Sequence, residues 1–122
     1  MKRAILTSLA VRRKNGKFWT GNRAALIAKE RIQQLVNPTF LFEPFAGCGA
    51  LIKDFLPNCR GIANDIDLQQ IEQMRKEWNI YDWQFFSKNI FTTPIAEIES
   101  WLSISEKERF LIYTNPPYGT RS

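Results

Sequence analysis

The chain has 122 residues, 44% of them apolar, and its 17 basic and 12 acidic side chains leave a formal charge of +5. That length and apolar share suit one small domain with a real core, and no stretch approaches the ~18 consecutive apolar residues of a membrane span. There is no histidine, which excludes imidazole chemistry for the chain acting alone, and Cys48 and Cys59 form no CxxC pair, so neither a disulfide framework nor a metal site is supported. A reducing cytoplasm is the compartment that fits this cysteine usage.

Met1 to Val11 has the length of a short leader, but Thr7 and Ser8 break its apolar run and Arg12, Arg13 and Lys14 follow it, so it is not read as a signal peptide. Lys2, Arg3, Arg12, Arg13, Lys14, Lys17, Arg23 and Lys29 all precede Glu30, the first acidic residue. Residues 1–15 are therefore a basic N-terminal segment and 16–122 a single domain. Such an arm serves phosphate-backbone contact through counterion release, or acts only as a solubilising tail.

Asn15-Gly16 marks a turn. The spacing of Ala25, Ala28, Ile32 and Leu35 predicts a helix over 22–36, halted before Pro38. Thr39 to Phe45 reads as the first core strand, followed by a glycine turn and a short helix over 51–56 that ends at Pro57. Gly61 to Asp67 is the second strand with its polar exit, and Leu68, Ile71, Met74 and Trp78 form one face of the next helix. Asp82 to Ser87 is a third strand, and Thr93-Pro94 starts a helix carrying Ile95, Ile98 and Leu102. Phe110 to Thr114 is the fourth strand. Alternating strands and helices predict a doubly wound α/β fold on a Rossmann-like parallel sheet of about four strands, the fourth beside the first. Because the sequence stops eight residues after Thr114, the expectation is an incomplete sheet, its C-terminal strands missing and the far edge of its fourth strand bare.

Two motifs carry chemistry. Glu43-Pro44-Phe45-Ala46-Gly47-Cys48-Gly49 lies where a buried strand turns sharply, and its glycines let backbone approach a ligand. Ile52 stands where a dinucleotide fingerprint would have its third glycine, which disfavours nicotinamide binding. The second motif, Asn115-Pro116-Pro117-Tyr118, follows an apolar strand. Its Asn115 side-chain carbonyl and Pro116 backbone carbonyl are acceptors on a stiff corner, suited to the two N–H groups of a planar exocyclic amine. Tyr118 would stack on a base extruded from a duplex. A cytosine-C5 enzyme would need a Pro-Cys nucleophile, and Pro117 follows Pro116.

Together these motifs resemble those of class I S-adenosylmethionine-dependent methyltransferases, most closely the N-terminal, cofactor-binding half of the adenine-N6 DNA methyltransferases of restriction-modification systems, over roughly residues 16–120. The resemblance implies transfer of a methyl group from S-adenosyl-L-methionine to the N6 amino group of a flipped adenine in double-stranded DNA. It implies that Thr20, in Gly16-Lys17-Phe18-Trp19-Thr20-Gly21, meets the methionine end of the cofactor, although Gly21 replaces the family's proline. Glu43 would hold the cofactor's amino group, with Phe45, Ala46, Gly47 and Gly49 forming the turn around it. Asp65 would accept from the ribose hydroxyls, with Ile66 beside it and Asp67 as the alternative. Asn89 and Ile90 stand where the family has Asp and an apolar residue at the adenine ring, and Asn115 would border both cofactor and substrate.

Other readings of these residues stay open: Asp65 as a cap for the helix at Leu68, Asn89 as a strand-ending turn, Asn115-Pro116 as a strand terminator, and Trp78, Trp83 and Trp101 as packing. Only about 25 residues separate Asn89 from Asn115, which leaves no room there for a target-recognition domain. The expectation is a partial catalytic domain that needs a C-terminal half or a second chain to turn over. Glutamine amides of proteins and guanine amino groups of RNA also present a planar NH2 to the Asn115 corner, and a non-catalytic cofactor-binding subunit is the third possibility.

Overall fold

The computed structural model describes the backbone of residues 5–7 and the whole of residues 21–116. Thr20, Pro117, Tyr118 and most of the basic N-terminal segment lie outside these. Five strands, β1 (Ile5–Thr7), β2 (Phe40–Glu43), β3 (Arg60–Asn64), β4 (Trp83–Phe86) and β5 (Phe110–Tyr113), form one sheet in the order β1-β5-β2-β3-β4. Every pairing is parallel. The fold is α/β and doubly wound, as the alternation of strands and helices predicted, and β5 lies beside β2 as expected. The four expected strands are present as β2–β5, and the expectation of a bare edge on β5 is corrected: Ile5–Thr7, read from sequence as part of a basic segment, pairs in register with Leu111–Tyr113. Three residues flanked by Arg3 and Arg12 carry too little alternation to read as a strand, and only the long-range pairing identifies them.

Alternation along the strands divides the core. Leu41, Ala63, Phe85, Leu111 and Tyr113 face a layer made of α1 (Asn22–Leu35), a 3-10 segment (Lys53–Asn58) and α2 (Leu68–Glu77). Phe40, Phe42, Ile62 and Phe110 face α3 (Ile95–Trp101) on the other side, where Trp101 stacks on Phe86 at 4.2 Å and meets the Phe42 ring edge-on at 6.4 Å. On α1, Ala25 and Ile32 are buried as the periodicity predicted, but Leu35 is 80% exposed, because the helix ends there and Asn37 turns away with φ 49°. Leu68 and Ile95, also assigned to inward faces, lie exposed at the first residues of α2 and α3. Pro94 precedes the first turn of α3 instead of entering it.

After the glycine turn no α-helix forms. Pro57 cannot donate to a ladder, and the segment stays a six-residue 3-10 helix that runs through Pro57 to Asn58, where a short α-helix over 51–56 was expected.

Two glycines are fixed by close neighbours. A Cβ on Gly61 would lie 2.4 Å from the Leu41 carbonyl oxygen and 2.7 Å from the Trp83 ring, which lies over β3 and donates its indole N–H to the Cys59 carbonyl at 2.7 Å. Gly49, at φ +84°, lies against the Trp78 ring, 2.2 Å from where a Cβ would stand. Gly61→Ala is expected to cost ~3 kcal/mol or more, since a backbone carbonyl must move. Gly47→Ala, with φ +56° but open space around it, should cost about 1–2 kcal/mol. Urea denaturation of both variants checks this, and equal midpoints would mean that Trp83 does not pack against Gly61.

Candidate functional site

The crevice of an open parallel sheet lies at the carboxyl ends of the strands, where the chain leaves neighbouring strands in opposite directions. Here that point lies between β2 and β5. Glu43 ends β2 and is 1% exposed, and Thr114 and Asn115 follow β5. The Glu43 Oε1 accepts the Phe45 N–H at 2.8 Å, and its carboxyl also accepts the Asn115 N–H. Thr114 lies close enough to favour the ionised carboxylate without closing a hydrogen bond of ordinary geometry. Burial outweighs these donors and pushes the Glu43 carboxyl up to about 8, with a smaller upward push from Asp65. Tyr113 is next to Glu43 across the β2–β5 register, on the same sheet face, and burial and the Glu43 charge both raise its phenol.

The glycine turn is tied to the next strand. Asp65 Oδ1 accepts the Gly47 N–H at 2.9 Å, Asp65 Oδ2 accepts the Asp67 N–H at 2.9 Å, and the Ala46 N–H bonds the Asn64 carbonyl at 2.8 Å. The cap of α2 is Asp67, whose Oδ1 accepts the Gln69 N–H at 3.0 Å, and Asp65 is not that cap. One lone pair on each Asp65 oxygen is left for a hydroxyl donor.

Asn64, to which the sequence assigned no role, joins three strand ends. Its Nδ2 donates to the Pro44 and Lys88 carbonyls at 3.1 and 2.9 Å, and its Oδ1 accepts the Lys88 N–H at 3.0 Å. A polar residue closing an apolar strand was the available signal.

After β4, the Asn89 Oδ1 accepts the Phe91 N–H at 3.0 Å and the Asn89 carbonyl accepts from Thr93, an Asx turn of the strand-ending kind left open by sequence. Ile90 packs partly into the α3-side core. Phe91, unassigned from sequence, is instead 78% exposed and meets the Phe45 ring at 5.6 Å. Ile66 is also exposed at the end of β3. Glu43, Phe45, Ala46, Gly47, Gly49, Asp65, Ile66, Asn89, Asn115 and Pro116 thus come from four adjacent strand-end loops. Thr20 and Tyr118 lie outside the described residues.

Cys48 is exposed in the turn, whereas Cys59 is buried and its thiol pushed up to about 12 by desolvation, so it is inert. No group of three or more metal-ligating side chains occurs among the described residues, nor any helix long and apolar enough to cross a membrane. A depression of about 530 Å³ on the solvent side of α2, lined by Leu68, Glu72, Lys76 and neighbours, lies apart from the strand ends and carries none of these groups. No protein-family model matches the chain, and no curated protein matches it.

The Glu43 carboxyl makes stability depend on pH. Its folded value of about 8 exceeds the ordinary 4.5, so the folded chain holds a proton that the unfolded chain has lost. This contribution is complete below pH 4.5 and is lost as pH rises through about 8, at up to about 1.4 kcal/mol per pH unit. Glu43→Gln should remove that slope and leave the variant more stable than the parent at pH 9. Melting temperatures from pH 5 to 9 check it, and parallel curves would mean that Glu43 is ionised throughout.

Proposed function

We propose that the chain is the cofactor-binding and amine-recognising part of an S-adenosyl-L-methionine-dependent methyltransferase that acts on the N6 amino group of adenine in DNA. The observation that carries this reading is a pair of carboxylates, Glu43 and Asp65, flanking an open glycine turn at the switch point of a parallel sheet. A dinucleotide site would bring a pyrophosphate to a glycine turn that opens an α-helix. This turn opens a six-residue 3-10 segment between two carboxyl groups, which offer acceptor oxygens to a donor-rich ligand and not the helix-end N–H groups that a pyrophosphate uses.

The residues fit the cofactor in kind. Glu43 supplies a buried acceptor for its ammonium, Asp65 has lone pairs left for its ribose hydroxyls, and Ile66 and Phe91 offer exposed apolar surface for its adenine ring. Among the described residues nothing lies within 4 Å of where a Cβ on Gly47 would stand, which leaves room for the chain of the ligand. Bound there, the cofactor supplies an electrophilic methyl group on a sulfonium.

The work of the protein is then positioning. Adenine's exocyclic nitrogen is a poor nucleophile because its lone pair is delocalised into the ring. The Asn115 side-chain carbonyl and the Pro116 carbonyl accept its two N–H groups and favour a pyramidal amine whose lone pair is free to attack in line. Charge develops on that nitrogen as the new bond forms, and fixed acceptors stabilise it without reorganising. The basic residues that precede Glu30 suit a phosphate backbone, which favours DNA over a protein amide.

Titration calorimetry should give saturable S-adenosylmethionine binding that is lost in Asp65→Ala and kept within about threefold in Asn115→Ala. In the assembly completed by the C-terminal half or second chain that turnover needs, Asn115→Ala should lower methyl transfer to an adenine-containing duplex by ~100-fold, the usual scale for one preorganised hydrogen-bonding group. A folded parent chain that binds no S-adenosylmethionine would sink the reading.

A further inference from the structure

Asn64 closes β3 and is 1% exposed, too buried to touch a ligand in the crevice. Its carboxamide exchanges two hydrogen bonds with Lys88, through the N–H and the carbonyl of that residue, as a backbone neighbour in a sheet would. Its other amide proton goes to the Pro44 carbonyl at 3.1 Å. An apolar side chain there would strip three backbone groups of these partners, at a cost larger than the bonds themselves contribute. Both residues it holds stand just before aromatic ones. Pro44 precedes Phe45, and Lys88 precedes Asn89, whose side chain accepts the Phe91 N–H at 3.0 Å. The Phe45 and Phe91 rings meet at 5.6 Å, inclined by 36°, although Phe91 is 78% exposed.

The two loops do not depend on Asn64 equally. The exit of β2 is also tied by the Phe45 N–H to Glu43, by the Ala46 N–H to the Asn64 backbone carbonyl and by the Gly47 N–H to Asp65, none of which involves the carboxamide. Beyond Phe86, the exit of β4 leans on Asn64 and on the exposed bond from Ser87 Oγ to the Ile66 carbonyl at 3.3 Å. Removing the carboxamide therefore leaves Phe45 in place and frees the loop that carries Phe91. We propose that Asn64 is a positioning residue for the planar ring of a nucleoside ligand: it sets the Phe91 ring against Phe45 and so builds an aromatic platform that it does not itself join. Paired rings held at an angle offer a face and an edge to a heteroaromatic group, an arrangement that a freed loop loses. The role rests on the reading of the crevice as an S-adenosylmethionine site, whose adenine is the planar group.

The test is a double-mutant cycle of Asn64→Ala and Phe91→Ala, read by calorimetry with S-adenosylmethionine. Each single substitution should weaken binding by about tenfold, and the pair should bind within about twofold of Phe91→Ala alone, because Asn64 acts through that ring. A merely structural Asn64 gives additive losses, the same tenfold fall with or without Phe91, and that result overturns the role. Unchanged affinity in either single variant overturns it as well, while the cofactor reading stands. Should Asn64→Ala fail to fold, Asn64→Asp carries the same cycle, since it keeps the size and the acceptor for the Lys88 N–H but loses both donations. If the parent binds no S-adenosylmethionine, the cofactor reading fails and nuclear magnetic resonance with millimolar adenosine decides the platform alone. Shifts of the Phe45 and Phe91 ring protons in the parent but not in the Asn64 variant keep it, and no shift in the parent removes it.

Discussion

Burying the Glu43 carboxyl at the junction of β2 and β5 constrains everything around it. An acid in that position must be paired, hydrogen-bonded or protonated, and the chain uses the last two. The donors are backbone N–H groups from the two segments that leave the sheet there, Phe45 after β2 and Asn115 after β5. The carboxyl therefore acts as the clasp between the glycine turn and the acceptor corner. A hydrophobic residue at position 43 would free both N–H groups and let the two loops part. The sheet itself rests on strand pairing and on two apolar layers, but the shape of its carboxyl edge rests on this one side chain.

A second layer of polar bonds extends that edge outward. Asn64 joins the ends of β2, β3 and β4 through three hydrogen bonds, and Asp65 joins the glycine turn to the start of α2 through two more. The loops are thus held by side-chain to backbone bonds and not by a helix N-terminus behind the turn. That difference has an electrostatic consequence. Loops built on a helix dipole present partial positive charge, whereas loops built on Glu43 and Asp65 present carboxyl oxygens. On the proposed reading, the same residues that shape the edge offer acceptors to the ligand that enters it.

How much of this was legible depended on the distance over which each feature is encoded. The strands at Phe40, Arg60, Trp83 and Phe110 and the helices at Asn22, Leu68 and Ile95 announce themselves through local periodicity, and the glycine turn through its own composition. Gly61 was visible as a residue but not as a necessity, because the Trp83 ring that requires it lies on another strand. Asn64 looked like one polar residue among several, since its partners Pro44 and Lys88 are distant in sequence. The cap of α2 is Asp67 and not Asp65, a distinction local sequence does not make because a cap and a loop anchor carry the same side chain two positions apart. The strand Ile5–Thr7 has no local signature and gains its identity from β5. That Ile90 turns partly into the core while Phe91 faces out depends on a single-residue shift after a strand end, at the Asx turn of Asn89, which the local pattern does not encode.

The clasp also links the two halves of the proposed chemistry. When the Glu43 carboxyl is protonated, its hydrogen bond from the Asn115 N–H is a neutral one. A cation seated against it favours the carboxylate, and a hydrogen bond to an ionised acceptor is shorter and roughly twice as strong. The first position of the acceptor corner is thereby held more tightly once the cationic ligand is in place. Proline at 116 passes that restraint directly to the next carbonyl, because its φ is fixed by the ring. An amine that arrives after the cation meets two acceptors already oriented, whereas one that arrives first meets a corner held by the weaker bond. On the proposed reading, order of binding is written into one backbone N–H shared between the residue that senses the ligand's charge and the residue that receives the amine.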